Sequence, residues 1–304
     1  MLLGGVEAAA APACEPLPLT LLAPGLWLVP AAGAESDAGN RGHSSHLLLA
    51  SDGARLWAVG SGPSPAFGRR LRCTALLRLG RAPTDEWVPW ARAEVALGSR
   101  GLAAARRWSH AQVAEAMAQQ CAHCVDRLRQ RLAEAAADLG DDPVRLPQRL
   151  LRGETGRLGP FDWWVLPRAE GRMATVLRHR ASGVMTAHGL LWGDGPPDAR
   201  DGEVAVLARS VARLPALAAP GAREPAPRWV GESGPMLDLD SVVRQAAYLQ
   251  ALAAAARQAV QQGDPGLDVG PLPGHPADSA HPRHALNWQR AVRQAENELL
   301  RSPR

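Results

Sequence analysis

The side chains able to do chemistry fall into a few short groups. Cys121-Ala122-His123-Cys124 has the C-x-x-C spacing of a redox pair or of half a metal site. No second C-x-x-C exists and no His follows Cys124, which excludes c-type haem attachment. Both cysteines fall on the apolar stripe of a helix, so two thiols packed in a core are the leading expectation. A Cys121–Cys124 disulfide and metal binding are the alternatives. His43 and His46 form H-x-x-H near a strand start, where alternation sends them to opposite faces. Asp194, Asp198 and Asp201 flank a Gly/Pro loop and read as solvated turn residues. No P-loop, dinucleotide fingerprint or G-x-S-x-G occurs, and Trp57–Gly62 is only superficially glycine-rich.

These groups sit in a chain of 304 residues, 46% of them hydrophobic, enough to bury a sizeable core. No apolar run approaches the roughly 20 residues a membrane helix needs, so a soluble chain without a span is expected. The net charge of +4 comes entirely from Arg, dispersed among Asp and Glu; Lys and Ile are both missing. That is the mark of a GC-rich genome rather than of a basic patch, and the ten Trp are scattered, so no nucleic-acid partner is expected. Four cysteines, Cys14, Cys73, Cys121 and Cys124, are too few for a disulfide-stapled scaffold. Residues 1–20 read as a flexible tail or as the remnant of a signal peptide, with Ala11-Pro12-Ala13 in the small-x-small form of a cleavage site. Localisation is accordingly periplasmic or, alternatively, cytoplasmic.

Periodicity supplies the elements that must position these residues. A turn at Ala23–Gly25 leads into a strand at Leu26–Val29; His46–Ala50 and Arg55–Val59 are strands joined by Ser51-Asp52-Gly53. Phe67–Leu79 predicts a helix, and Thr84–Leu97 another strand. Ser109 and Gln112 have the capping-box spacing at the head of a helix ending near Gly140. Strands follow at Phe161–Leu166, Met173–Leu177, Gly183–Leu191 and Arg228–Val230, with Trp163 and Trp164 on opposite faces; helices are predicted over Glu203–Leu217, from Asp240 or Ser241 to Gly263, and over Ala285–Leu300. The order suits a layered α/β or α+β domain over residues 21–263, followed by a C-terminal strap and helix over 264–304.

Several of these segments resemble the metallo-β-lactamase fold, in particular the exported zinc metallohydrolase-like proteins associated with quinoprotein and sulfur oxidation. Leu22-Ala23-Pro24-Gly25-Leu26-Trp27 is similar to that family's "APGVY" strand, and Ala58–Ser64 to its "VIDTGPS" turn. Gly183–Leu191 resembles "GVLFAGDLL", Trp229–Pro235 resembles "VVPGHGP", and His284–Ala291 is similar to "HxxNVQRAY". The resemblance implies an αββα sandwich of two packed sheets with helices outside, and an active site at the sheet edge where His and carboxylates hold zinc.

The ligands for that zinc are missing. The family's H-x-H-x-D-H is set against Val95–Ala104, which contains no His; the middle His is set against Gly156 and Arg157. The Asp of "VIDTG" matches Gly60, the Asp of "AGD" matches Gly189 and the His of "GHG" matches Ser233. The expectation is a catalytically degenerate, metal-free protein that acts through binding, to a protein partner or a small anion, with Gly60, Ser61, Ser99, Arg100, Gly189 and Ser233 lining an emptied cleft that is apolar or Arg-lined. The alternatives are a hydrolase with a relocated mononuclear zinc site at His188 and Glu232, each one residue before a lost ligand, and a small-molecule-binding module using the cleft.

Overall fold

The protein is described from a computed structural model covering residues 14–218, 227–263, 266 and 270–301. The start of the tail, residues 1–13, lies outside the described residues.

Two mixed sheets form the centre. The first has seven strands in chain order: β1 (Thr20–Ala23), β2 (Leu26–Val29), β3 (Leu47–Ser51), β4 (Leu56–Val59), β5 (Asp85–Trp87), β6 (Arg106–His110) and β7 (Arg149–Leu151). Hairpins make β1 to β4 antiparallel, and crossovers make β4 to β7 parallel. The second sheet runs β12 (Trp229–Val230), β11 (Met185–Thr186), β10 (Arg172–His179), β9 (Phe161–Ala169), β8 (Thr155–Leu158), with only β11 and β12 parallel.

Strand alternation builds the layers. Leu26, Leu28, Leu48, Trp57, Val59 and Trp87 face Phe161, Trp163, Leu177 and Val230 between the sheets. The opposite face of the first sheet, with Val29, Leu47, Leu49 and Ala58, packs on Phe67, Leu71 and Ala75 of α1 (Pro65–Leu79). The outer face of the second sheet, with Leu166, Ala174 and Val176, is covered by α4 (Val204–Leu217), α5 (Leu239–Gln261) and α7 (Pro282–Arg301). Helix–sheet–sheet–helix layering is therefore the architecture, and the C-terminal helix is part of it, packed along α5. Trp163 and Trp164 divide between the two faces of β9 as alternation requires.

Several segments differ from the sequence reading, among them the unforeseen strands β1, β7 and β8. Thr84–Leu97 is not one strand: β5 stops at Trp87, a loop follows, and α2 (Ala93–Ala96) takes over. Ser109 ends β6 and donates to the Val88 carbonyl at 2.9 Å, while His110 caps α3 (Ala111–Leu132), its Nδ1 accepting from Gln112 N. A 3-10 turn over Ala133–Leu139 carries the chain on to Gly140. Of Gly183–Leu191, only Met185–Thr186 is strand; the remainder is turn and irregular backbone.

The cysteines follow the leading expectation of unpaired Cys121 and Cys124 and not the alternative disulfide between them. Cys14 and Cys73 form a disulfide, whereas Cys121 and Cys124 are free thiols. Cys121 is buried among Val88, Ala96, Val113 and Met117, and Cys124 is half-buried one turn further along α3. Burial pushes the Cys121 thiol up to about 12 and also raises Cys124. With the disulfide in place, residues 14–19 are packed rather than free: Leu17 is buried and its N–H donates to Thr74 Oγ1 at 2.8 Å. The bond closes a 59-residue separation. Reducing it, or substituting Cys73→Ser, is expected to lower the unfolding free energy by about 2–4 kcal/mol. Denaturant titration with and without reductant measures this, and coincident curves would refute it.

Candidate functional site

The parallel strands β4 and β5 and the parallel pair β11 and β12 all end toward the same rim, the position at which α/β sheets gather ligand-binding loops. Three loops meet there: Val88–Arg92 after β5, Ala187–Gly189 after β11, and Gly231–Gly234 after β12. The first is tied across to the second sheet, Thr175 N donating to the Pro89 carbonyl at 2.7 Å.

Glu232 is the centre of this rim and is completely buried. Its Oε2 accepts from Gly189 N at 2.8 Å and from Trp90 Nε1 at 3.2 Å, and its Oε1 accepts from Ser45 Oγ. Arg92 Nε lies 3.8 Å from Oε1 and 3.1 Å from Glu94 Oε2. Burial alone would lower the Arg92 guanidinium, but Glu94, Glu232 and Asp198 outweigh it and raise it. The same balance holds for Glu94: burial would raise its carboxyl, and Arg92 together with hydrogen bonds, one of them from Ser36, brings it below the usual carboxylate range.

From β9, Arg168 enters the same cluster. Its guanidinium carbon sits 4.1 Å from the Trp90 ring centroid, and that of Arg92 5.4 Å, so one indole faces two cations. Arg168 is buried; Nη2 donates to the Arg200 carbonyl at 2.8 Å, while Nε and Nη1 have no acceptor. Burial lowers its pKa to about 10, which Asp198, Glu232 and Asp201 counteract, so it remains protonated at neutral pH. Gly189 makes the room for this. A Cβ there would stand 2.8 Å from both Arg168 Nη1 and Trp90, and the backbone is left-handed at φ +76°.

The residues singled out from sequence divide between this rim and elsewhere. Gly189, Ser233, His188 and Glu232 belong to it. Ser233 Oγ donates to Asp194 Oδ2 at 2.9 Å. Gly60, Ser61 and Ser99 lie deeper, in a buried polar network: Ser61 Oγ meets Ser99 Oγ at 3.1 Å, and Ser99 donates to Glu86, which pairs with Arg107 at 3.1 Å. Gly60 packs under Leu47 and Val95. Arg100 is away from the rim, half-exposed and paired with Asp142. Gly156 packs on Trp163, and Arg157 is exposed beside Asp162. Asp198 is buried, not a solvated turn residue, and holds Arg290 at 3.0 Å and Arg200 at 3.4 Å.

Sequence reasoning missed Trp90, Arg92, Glu94 and Arg168. The signal was present: Trp90-x-Arg92-x-Glu94-Val95 directly follows β5 with the spacing of H-x-H-x-D-H, five residues before the place where that motif had been set.

Zinc does not fit these residues. His188 is buried with both nitrogens used: Nε2 lies 2.8 Å from the His46 carbonyl, which only accepts, so Nδ1 accepts from Thr186 Oγ1 at 2.7 Å. His46 is similarly committed, Nδ1 accepting from Ala31 N and Nε2 facing the Gly234 carbonyl. The Glu232 oxygens already hold three donors, and two guanidinium groups stand beside them. Among the described residues no three His, Cys, Asp or Glu come together as a metal-binding group.

No protein-family model and no curated protein matches the sequence. Solved structures do match. A metallo-β-lactamase from Pontibacter korlensis is 13% identical with a TM-score of 0.58, covering 77% of this chain and 99% of its own. FIM-1 from Pseudomonas aeruginosa, in a mono-zinc form, is 12% identical at 0.58, covering 78% and 96%, and a metallo-β-lactamase from Hirschia baltica is 10% identical at 0.57, covering 77% and 98%. The chain has the metallo-β-lactamase fold.

The buried imidazoles give the fold a pH dependence. Burial lowers His43 to about 4 from an ordinary 6.5, and His46 and His188 shift the same way. Between pH 6.5 and 4 the unfolded chain therefore binds more protons, so stability falls as pH drops through that window. Glu94 and Asp198, both depressed, lose their contribution only at lower pH. His43 alone is expected to withdraw about 3 kcal/mol by pH 4. Urea midpoints at pH 7.5 and 5.0 test this: a constant midpoint in the wild type contradicts it, and His43→Gln should flatten the slope.

Proposed function

We propose that the protein is a catalytically degenerate metallo-β-lactamase-fold protein that acts by binding. The observation that carries this reading is the substitution of the metal's surroundings by the chain's own cations: Arg92 and Arg168 converge on Trp90 beside a buried carboxylate. Hydrolysis in this fold needs a bound dication to turn water into hydroxide. A guanidinium supplies charge and hydrogen bonds but has no empty coordination position for water.

Within the fold, the sequence motifs favour kinship with the exported proteins of quinoprotein and sulfur oxidation, and we assign the protein a periplasmic place as a partner of such a system or of an active paralogue. The Cys14–Cys73 disulfide supports an oxidising compartment.

Protein purified without chelator is expected to carry substoichiometric zinc and to leave a chromogenic β-lactam intact with zinc added. Stoichiometric zinc, lost in His188→Ala or Glu232→Ala, would overturn the reading in favour of a relocated metal site. Restoring an acid with Gly189→Asp is expected to destabilise the fold by about 2–4 kcal/mol, because the left-handed backbone and the absent Cβ space both oppose it. A thermal melt reads this, and a gain in stability would show that the cation pair accepts a further carboxylate.

A further inference from the structure

Above Trp90 the surface opens into a groove of about 30 Å³. That is room for about two water molecules, so only the end group of a ligand enters. Arg92, Arg127, Arg131 and Arg200 line it against two carboxylates, Glu94 and Asp201, leaving an excess of positive charge. Arg127 stands 3.7 Å from Asp201, and Arg131 3.6 Å from Glu94, both beyond hydrogen-bond reach. Arg92 is only 8% exposed and, paired through Nε with Glu94 at 3.1 Å, contributes a buried, charged guanidinium to the groove lining. A planar guanidinium with two parallel N–H groups selects a carboxylate or a phosphate-type oxyanion.

The groove shares Asp201 with a broader trough of about 380 Å³ lined by Glu170, Arg172, Glu203 and Arg290. Charges of both signs there suit a polar or zwitterionic body rather than an apolar one. Asp201, at the junction, holds a left-handed backbone at φ +55°, a conformation uncommon outside glycine.

We propose that this groove receives the terminal oxyanion, carboxylate or phosphate, of a small polar molecule whose body lies in the adjoining trough. The inference rests on the cleft being a binding site rather than a metal centre. The anion is held as such, and no bond is made or broken.

The test uses the full chain with phosphate, acetate and glutamate as probes, against sodium chloride at matched ionic strength. Two readouts serve: the melting temperature, and alkylation of the half-buried Cys124 in the groove wall, distinguished from the buried Cys121 by the fragment-ion masses of the peptide that carries both. Phosphate or glutamate is expected to raise the melting temperature saturably and to slow Cys124 alkylation several-fold. Arg127→Gln and Arg131→Gln, on partly exposed side chains, should keep the fold and weaken the effect about 10-fold each, as loss of one charge-assisted hydrogen bond implies. Arg92→Gln should abolish it. A response to phosphate alone assigns a tetrahedral head, and a stronger response to glutamate than to acetate assigns the trough; both support the proposal. An equal effect from chloride, or wild-type binding in the two glutamine variants, overturns it. Zinc found in the purified protein would instead overturn the non-catalytic reading, independently of the arginine variants.

Discussion

A carboxylate taken fully out of water must be given donors and positive charge to offset its lost hydration. Glu232 meets that demand with groups from three separate parts of the chain: Ser45 before β3, Trp90 and Arg92 after β5, and Gly189 after β11. Its own backbone continues the stitching, the carbonyl accepting from His46 N and the N–H donating to Leu191. Loops that would otherwise be the loosest parts of a sandwich are therefore fixed relative to one another by one side chain. Removing it leaves the indole N–H and the Gly189 N–H buried without acceptors, which costs more than the net worth of the bonds themselves.

The second constraint is electrostatic. Two guanidinium groups share one indole in a site of low polarity, and Arg92 acts to depress Arg168. Such a pair is tolerable only inside a ring of acids, and Glu94, Glu232 and Asp198 provide it. The buried Glu86–Arg107 pair does related work from below: Arg107 Nη2 donates to the Ala96 carbonyl, anchoring the far end of α2, the short helix that presents Glu94. Polar networks on both sides of α2 thus set the rim, while the apolar layers only hold the sheets together.

Much of the frame was legible because period and turn chemistry agreed. β2, β3 and β4 are short, continuous apolar runs bounded by glycine turns, and α5 and α7 carry helical stripes. The extent of β5 was not legible: Asp85-Glu86-Trp87 is fully buried yet two-thirds acidic, its charges matched by Arg106 and Arg107 from the neighbouring strand. Burial paid for by a partner 21 residues away leaves no trace in local hydropathy. The site was half legible for a similar reason. Gly189, Glu232 and Ser233 stood out by position, whereas Trp90, Arg92 and Arg168 were passed over because metal donors were being sought. Arg168 does carry a signal in hindsight: with Trp164 and Leu166 it occupies the helix-facing side of β9, where a charge must have a buried purpose.

A metalloprotein's stability is tied to the supply of its ion, since an ion that binds only the folded state stabilises it by mass action. Here the positive charge at the rim is covalently part of the chain, in Arg92 and Arg168. It arrives with synthesis, cannot dissociate and has no concentration. The charge balance of this rim, with Arg92 and Arg168 set among Glu94, Glu232 and Asp198, is therefore written into the sequence itself.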